Sequence, residues 1–174
     1  MIYFTSDLHF NHNNIIAHCN RPFQSVDHMN SILIQNWNQK VNNTDDVYIL
    51  GDFTMEDADT AHRFFSVLNG RKYLIRGNHD KFTKDFEQYA GDVIWIKDYH
   101  VLKYQKRKFI LFHYPILEWE NYGKDSIHLY GHIHNNLQSL ERAKVLNKNS
   151  YNVGVDVNGY APISIDEVIK RVGK

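Results

Sequence analysis

The pattern of hydrophobic and polar residues along the first half of the chain predicts strands that alternate with helices. Residues 1–6, 46–50 and 72–76 are short apolar runs with the length and composition of strands. In residues 25–41 and 58–68, apolar residues recur at steps of three and four, which is the spacing of an amphipathic helix. This order of strand, helix, strand, helix and strand predicts an α/β unit with largely parallel strands and right-handed crossovers.

The second half of the chain has a different pattern, in which short β-like runs are joined by polar turns. We predict five strands there, over residues 92–96, 99–104, 107–112, 126–130 and 151–157. Near the end, Ser164 and Glu167 stand three residues apart as in a capping box, which predicts a helix running into the C-terminus. Two sheets packed face to face with helices outside would hold these elements in a single domain covering residues 1–174.

Composition narrows the class of protein. A chain of 174 residues with 43% hydrophobic content can close one sizeable core but not two independent ones. Twenty basic and twenty acidic residues give zero net charge, so we expect no long nucleic acid and no membrane as a partner. The start of the chain lacks the pattern of a signal peptide, and no apolar run reaches the ~18 residues of a membrane helix. We therefore expect a cytoplasmic protein, and the single cysteine, Cys19, excludes an internal disulfide and a thiolate-rich zinc site.

Polar clusters follow five of the predicted strands, where α/β proteins place their working groups. The clusters are Asp7-Leu8-His9, Gly51-Asp52, Gly77-Asn78-His79-Asp80, His113 and Gly131-His132-Ile133-His134. In an extended segment, residues two apart face the same way, so each pair of ligands in the first and last clusters can point into one site. The glycines leave room where the backbone turns sharply beside packed ligands.

The residue types in these clusters point to transition metals. Carboxylate, imidazole and one amide oxygen, without sulfur, suit manganese, iron or zinc better than calcium or magnesium alone. Seven to eight ligands exceed the needs of one ion. Two ions about 3.5–4 Å apart would use them all and would hold both the attacking and the leaving oxygen of a phosphoryl group. We therefore expect a phosphoester hydrolase.

In this order, the five clusters resemble the motif set of the calcineurin-like metallophosphoesterases, in the form of the short single-domain bacterial and phage-type members. The resemblance covers residues 7–134 and implies a four-layer αββα sandwich of two mixed β-sheets flanked by helices. It implies that two divalent ions are held by Asp7, His9 and His134 at the first site, by Asn78, His113 and His132 at the second, and by Asp52 between them. Manganese is the ion expected first, with iron, zinc, nickel or magnesium as alternatives.

The resemblance also implies how the reaction proceeds. A hydroxide bridging the two ions would be the nucleophile. His79 would be a catalytic residue that faces the scissile phosphate, stabilising the transition state or protonating the leaving oxygen. Asp80 would orient the ring of His79.

One stretch, Asn11 to Lys40, is longer than in the most compact family members and could shape the substrate pocket. Within it, His12 and Arg21 allow two interpretations: a polar loop and a turn, or contacts to a phosphate or base, for which arginine is well suited. Tyr114 follows His113 and either lines the pocket or packs inside. Residues 152–156 are expected to be structural, with support of the metal ligands as the alternative.

Three functions remain open at this point. The first is a phosphodiesterase or phosphatase acting on a small nucleotide-like or cyclic phosphate substrate. The second is a phosphoprotein phosphatase, which ranks lower because the chain lacks an obvious docking extension. The third is a non-catalytic protein-binding scaffold of the same fold, and the presence of every expected ligand together with His79 argues against it. The sequence leaves open whether the protein is a monomer or a dimer.

Overall fold

Two β-sheets pack face to face in the computed structural model, which describes residues 1–89, 91–146 and 148–172. The strands in these ranges are, in chain order, β1 (Ile2–Thr5), β2 (Asp46–Leu50), β3 (Arg71–Ile75), β4 (Ile96–Lys97), β5 (Tyr99–Tyr104), β6 (Arg107–Phe112), β7 (Ser126–Tyr130), β8 (Ser150–Asn152) and β9 (Ile163–Ser164). One sheet has the strand order β4-β3-β2-β1-β9 and the other the order β5-β6-β7-β8. Both sheets are mixed, as expected.

The first sheet contains the parallel strands predicted from the first half of the chain. β1, β2, β3 and β4 run parallel, and β9 joins the edge antiparallel to β1. The observed strand β4 covers only Ile96–Lys97, so it is shorter than the strand predicted over residues 92–96 and begins later in the chain. The four parallel strands therefore end at one edge of the sheet.

The second sheet begins with a hairpin and continues with parallel strands. β5 and β6 are antiparallel, and both turn residues between them, Gln105 and Lys106, have positive φ angles, as a tight two-residue hairpin requires. β6, β7 and β8 run parallel. The strand predicted over residues 151–157 is wrong beyond Asn152, because the Asn152 side chain accepts a hydrogen bond from the Gly154 amide and turns the chain out of the sheet.

Helices flank the sheets, and the described residues include α1 (Asn13–His18), α2 (Val26–Lys40), α3 (Ala58–Val67), α4 (Leu137–Ala143) and α5 (Ile165–Val172). The sequence pattern predicted α2, α3 and α5 but not α1 or α4. The capping box of α5 is confirmed, because Glu167 accepts from the Ser164 amide and donates its own amide to the Ser164 hydroxyl. The predicted extension of this helix over Gly173 and Lys174 lies outside the described residues.

Two hydrophobic clusters hold the layers together. Trp37 of α2 and Phe65 of α3 pack with Ile49 of β2 on one face of the first sheet. On the other face, Phe4 of β1 stacks on Phe109 of β6, with ring centroids 6.1 Å apart, and joins the two sheets. The expected αββα sandwich of two mixed sheets is thereby confirmed. No helix in the described ranges is long and apolar enough to cross a membrane.

A buried histidine in β7 supports the backbone next to the predicted ligand His113. The ring nitrogens of His128 lie 3.1 Å from the Ile110 carbonyl oxygen and 3.2 Å from the Tyr114 carbonyl oxygen. Burial lowers the pKa of His128 to about 4, so its ring is neutral at pH 7. A neutral ring donates to one carbonyl only, and protonation within the apolar layer is costly.

Acid should therefore weaken the fold through His128. Its folded-state pKa of about 4 is below the ordinary 6.5, so unfolding takes up a proton between these values and the free energy of unfolding falls as pH falls through this window. Between pH 7 and pH 4.5 the loss from this one group should be about 2 kcal/mol. Urea unfolding of His128→Phe at both pH values should show a pH dependence smaller by that amount. The exposed His28→Phe serves as control, and an unchanged pH dependence in His128→Phe would contradict the assignment.

Candidate metal centre

The predicted ligands meet where parallel strands of both sheets end. Asp7 follows β1, Asp52 follows β2 and Asn78 follows β3, all at the same edge of the first sheet. His113 and His132 follow the parallel strands β6 and β7 of the second sheet. The five clusters identified in the sequence therefore come together at one site.

The donor atoms form two groups. The ligand atoms of Asp7, His9 and His134 lie within 4.8 Å of one another, and so do those of Asp52, His113 and His132. The side-chain oxygen of Asn78 adjoins the second group, 3.0 Å from His113 Nε2 and 3.1 Å from His132 Nδ1. This division matches the two ligand sets that the resemblance implied.

Asp52 lies between the two groups. Its Oδ2 is 3.6 Å from His9 Nε2 in the first group and 3.4 Å from His113 Nε2 in the second. Its other oxygen accepts a hydrogen bond of 2.9 Å from the main-chain amide of His79. One carboxylate oxygen thus faces both groups, which is the placement that a bridging ligand needs.

His9 shows that the site fits a cation. In the described part of the chain, neither ring nitrogen of this buried side chain has a hydrogen-bond partner, since 3.6 Å to Asp52 is too long for one. Burial lowers the pKa of His9 to about 2, so the ring is neutral and one nitrogen keeps its lone pair. A buried polar atom without a partner is costly, and a bound metal ion would satisfy it.

The backbone at the ligands is unusual. Positive φ angles occur at Asp7 (57°), His9 (52°), Asp52 (53°), His132 (70°) and His134 (46°). The prediction that these segments are extended, with residues two apart facing the same way, was therefore wrong. Both predicted pairs of side chains, in the first and in the last cluster, nevertheless lie in one site. Left-handed conformations are uncommon outside glycine and concentrate at functional sites, where the surrounding structure enforces them.

Gly131 makes room for the first group. A Cβ atom there would overlap Ser6 Oγ and Asp7 Oδ2. The Asp7 carboxylate is fixed at this point by the Ser6 hydroxyl at 2.6 Å and by the His132 amide at 2.9 Å. The glycine thus allows the turn after β7 to pack against the ligand that follows β1.

Hydrogen bonds fix which nitrogen of His113 is free to bind a metal. Its Nδ1 donates to the Leu50 carbonyl oxygen at 2.7 Å, which leaves Nε2 facing Asp52. Burial opposes charge on either side chain, but their mutual attraction outweighs it: the pKa of His113 is raised and that of Asp52 is lowered to about 2. Asp52 therefore stays negative, as a metal ligand must.

His134 is oriented by a carboxylate that the ligand motifs do not include. Its Nδ1 lies 2.8 Å from Asp156 Oδ2, and although burial opposes charge, the hydrogen bond to Asp156 raises the pKa of His134 to about 10. With Nδ1 held by Asp156, Nε2 is the nitrogen available to a metal. The signal in the sequence was weak, because Asp156 follows no predicted strand end and lies in a segment expected to be structural. The alternative named for that segment, support of a metal ligand, matches this contact.

Arg21 is buried, and this corrects its predicted role as a phosphate contact. Its guanidinium forms a two-pronged ion pair with Asp156, at 2.8 and 2.9 Å, and donates to the carbonyl oxygens of Asp7 and Leu8. All of these partners belong to the protein, and the side chain has no exposed surface. Arg21 therefore holds Asp156 and the loop after β1 in place.

The predicted role of Asp80 also needs correction. Its two oxygens accept hydrogen bonds from the main-chain amides of Gly77, Asp52 and Phe53, at 2.8–2.9 Å. No hydrogen bond joins it to the His79 ring among the described residues. Burial raises the pKa of Asp80 to about 6. Asp80 thus fixes the turn that carries Asp52.

Three other predicted side chains border the site. The rings of the half-buried His79 and of His12 have centroids 5.4 Å and 5.3 Å from the centroid of the His9 ring. Tyr114 is 37% exposed, with its ring 4.6 Å from that of His132. His12 and Tyr114 are therefore placed where a substrate could touch them, unlike Arg21.

The fold and the site define a metal-binding α/β protein, and comparisons with known proteins agree. Residues 1–150 match the family model of the calcineurin-like phosphoesterase superfamily domain. An uncharacterized protein of Methanocaldococcus jannaschii is 40% identical over 177 residues, which cover 99% of this chain and 92% of that protein. The gene 66 protein of Mycobacterium phage L5 is 25% identical over 198 residues, covering 98% and 93%. The solved structure of a protein of unknown function from Aquifex aeolicus superposes with a TM-score of 0.76 at 29% identity, covering 98% of each chain.

The chain therefore belongs to the calcineurin-like phosphoesterase superfamily, as the order of its motifs predicted. Membership in this family indicates metal-dependent phosphoester hydrolysis. The groups of carboxylate and imidazole donors in the structure are consistent with that chemistry.

Loss of the Asp156 carboxylate should weaken metal binding. In Asp156→Asn the His134 ring loses its charged partner, and Arg21 faces an amide in place of a carboxylate. Removal of such a supporting group typically costs 10- to 100-fold in metal affinity, so manganese titration should show one ion binding that much more weakly. Asp46→Asn is the matched control, because it breaks an Arg71–Asp46 ion pair of the same geometry on the surface. Equal manganese affinity in Asp156→Asn and the wild type would contradict this role.

Crowding at Gly131 gives a second test of the site. Gly131→Ala should lower the free energy of unfolding by about 1–3 kcal/mol, because the added methyl group displaces Ser6 or Asp7. It should also reduce manganese binding, since the Asp7 carboxylate belongs to the first donor group. Gly91→Ala provides the comparison, because no described heavy atom lies within 4 Å of a Cβ there. If the two variants unfold at the same urea concentration and bind manganese equally, the packing argument fails.

Proposed function

We propose that the chain hydrolyses phosphoester bonds in a small nucleotide-like or cyclic phosphate substrate, using two divalent metal ions. The observation that carries this proposal is the position of Asp52, one oxygen of which faces both donor groups. A site for a single ion does not require a carboxylate oxygen that faces two separate sets of ligands. A bridging carboxylate is typical of sites that hold two ions about 3.5–4 Å apart.

The chain supplies ligands for both ions. Asp7, His9 and His134 would hold the first, and Asn78, His113 and His132 the second, with Asp52 shared between them. When bound, the ions supply an activated water at neutral pH and neutralise charge on the phosphoryl group. Manganese is the ion we expect first, and a donor set of oxygen and imidazole without sulfur suits it along with iron and zinc. Iron, zinc, nickel and magnesium are the alternatives for metal analysis of the purified protein.

His79 is the residue we assign to proton transfer. Its main-chain amide is tied to Asp52, which fixes the start of the side chain beside the metal centre. Its ring is half-buried next to His9, and the same opening is bordered by His12 and His134. From there the ring can donate a proton to the leaving oxygen, a contribution of about 10² to 10⁴ in rate.

Hydrolysis of p-nitrophenyl substrates by the manganese-loaded protein tests the proposal. Bis(p-nitrophenyl) phosphate reports diester cleavage, and p-nitrophenyl phosphate reports monoester cleavage. His79→Ala should lower kcat by about 10²- to 10⁴-fold for a substrate with a poor leaving group, such as phenyl phosphate, and by less for the p-nitrophenyl substrates, while metal content stays at two ions. Asp52→Asn should lose both metal and activity. His62→Ala, which changes a histidine that pairs with Asp92 outside the cluster, should leave activity unchanged.

The outcomes separate diester hydrolysis, monoester hydrolysis and the non-catalytic scaffold. Faster cleavage of the diester supports a phosphodiesterase, and faster cleavage of the monoester supports a phosphatase. A protein that binds no metal and turns over neither substrate would return the scaffold hypothesis to first place. Activity that survives in Asp52→Asn would show that catalysis occurs elsewhere.

A further inference from the structure

A cavity opens directly beside the metal centre. Its volume is about 380 Å³, and two of the proposed metal ligands, His132 and His134, form part of its wall. Sites that bind small molecules typically measure about 300–1,000 Å³. The cavity is therefore large enough for the organic part of a small phosphoester whose phosphoryl group lies at the metals.

The remaining wall of the cavity combines apolar side chains with the polar side chains of His18, Asn136 and Ser139. Cys19 follows α1, Leu117 follows β6, and Ala143 and Val145 belong to α4 and the segment after it. Ser139 of α4 adds a hydroxyl group. Among the described residues that line the cavity, none has an aspartate, glutamate, lysine or arginine side chain. The wall therefore offers apolar contact and a few hydrogen bonds but no formal charge apart from histidine.

Apolar side chains around this cavity are exposed to solvent. Leu117 is 62% exposed and Val145 is 74% exposed. Single exposed apolar residues are ordinary on a protein surface, but these converge on one concave site next to the ligands of a metal centre. A bound apolar group would remove both side chains from water, which favours binding.

We propose that this cavity binds an uncharged, ring-containing organic group of the phosphoester substrate. The inference rests on the proposed function, because the phosphoryl group must lie at the metal centre for its substituent to reach the cavity. A nucleoside-sized group fits both the volume and the mixture of apolar wall and hydroxyl group. Among the described lining residues, only the imidazoles of His18, His132 and His134 could pair with a charged group, and two of these belong to the metal centre, so the wall favours an uncharged group over a second phosphate or a charged peptide side chain.

Matched substrates and inhibitors test this assignment. Methyl p-nitrophenyl phosphate, phenyl p-nitrophenyl phosphate and thymidine 5′-(p-nitrophenyl) phosphate share one leaving group and differ only in the second ester. In the manganese-loaded protein, the ring-containing diesters should have a kcat/KM at least about 10-fold above that of the methyl diester. Calorimetry with methylphosphonate and phenylphosphonate, which share a headgroup and contain no hydrolysable ester, should show the same preference in binding.

Two variants locate the preference in the cavity. Ala143→Phe fills the cavity, and Val145→Asp places a charge at its wall, so each should bring the ratio of ring to methyl substrate close to one. Val67→Asp is the matched control, because Val67 is also exposed but does not line the cavity, and it should leave the ratio unchanged. Melting temperature and metal content identify any variant that fails to fold.

The diester kinetics and the phosphonate binding data together distinguish failure of this inference from failure of the proposed function. Absence of turnover for all three diesters and for p-nitrophenyl phosphate would overturn the hydrolase, while the phosphonate pair would still report on the cavity. Equal affinity for the two phosphonates, or a preference that survives in both Ala143→Phe and Val145→Asp, would overturn the cavity assignment. A preference for the phenyl and thymidyl groups alike would indicate recognition of any ring, and a preference for the thymidyl group alone would indicate a nucleoside.

Discussion

Buried carboxylates hold together the turns on which the metal centre is built. Asp80 accepts three main-chain amides from two of these turns, and Asp7 accepts the amide of a third. Asp156 binds Arg21 and the ring of His134. Removing a carboxylate from water is costly unless hydrogen bonds and opposite charges compensate. Each of these groups has hydrogen-bond partners within the protein, and these bonds fix the turns relative to one another.

This network explains how the ligand residues can hold an unfavourable backbone. Left-handed conformations such as those of Asp52 and His132 cost on the order of 1–3 kcal/mol each, and a local sequence preference does not repay that cost. The compensation comes from contacts across the two sheets, such as the bond from the His132 amide to Asp7. Fold and site are therefore coupled, because the contacts that stabilise the geometry of the ligand residues join the two sheets.

The sequence predicted the parts of the site that follow apolar runs. Each ligand from Asp7 to His134 stands just after a strand, and parallel strands bring such positions to one edge whatever the intervening loops do. The same reasoning did not predict that Asp156 belongs to the site, because the chain leaves β8 at Asn152 and reaches the site through an irregular turn. Contact with a substrate was one of two interpretations of Arg21, because an arginine suited to bind a phosphate has the same sequence signature as one that binds a buried carboxylate. Only the structure distinguishes these two roles, because it shows Arg21 paired with Asp156, which lies 135 positions further along the chain.

The segment between the first two motifs now has two physical roles. Through Arg21 it fixes Asp156 and the carbonyl oxygens beside Asp7, which links it to the metal centre. Through His18 and Cys19 it forms one wall of the adjoining cavity. The metal ligands come from strand ends, whereas most of the cavity wall comes from α1, α4 and the segments that flank them. Substitutions in these helices can therefore change which organic group the cavity binds without changing the metal ligands. A change at Arg21 is different, because it would disturb the metal centre and the cavity together.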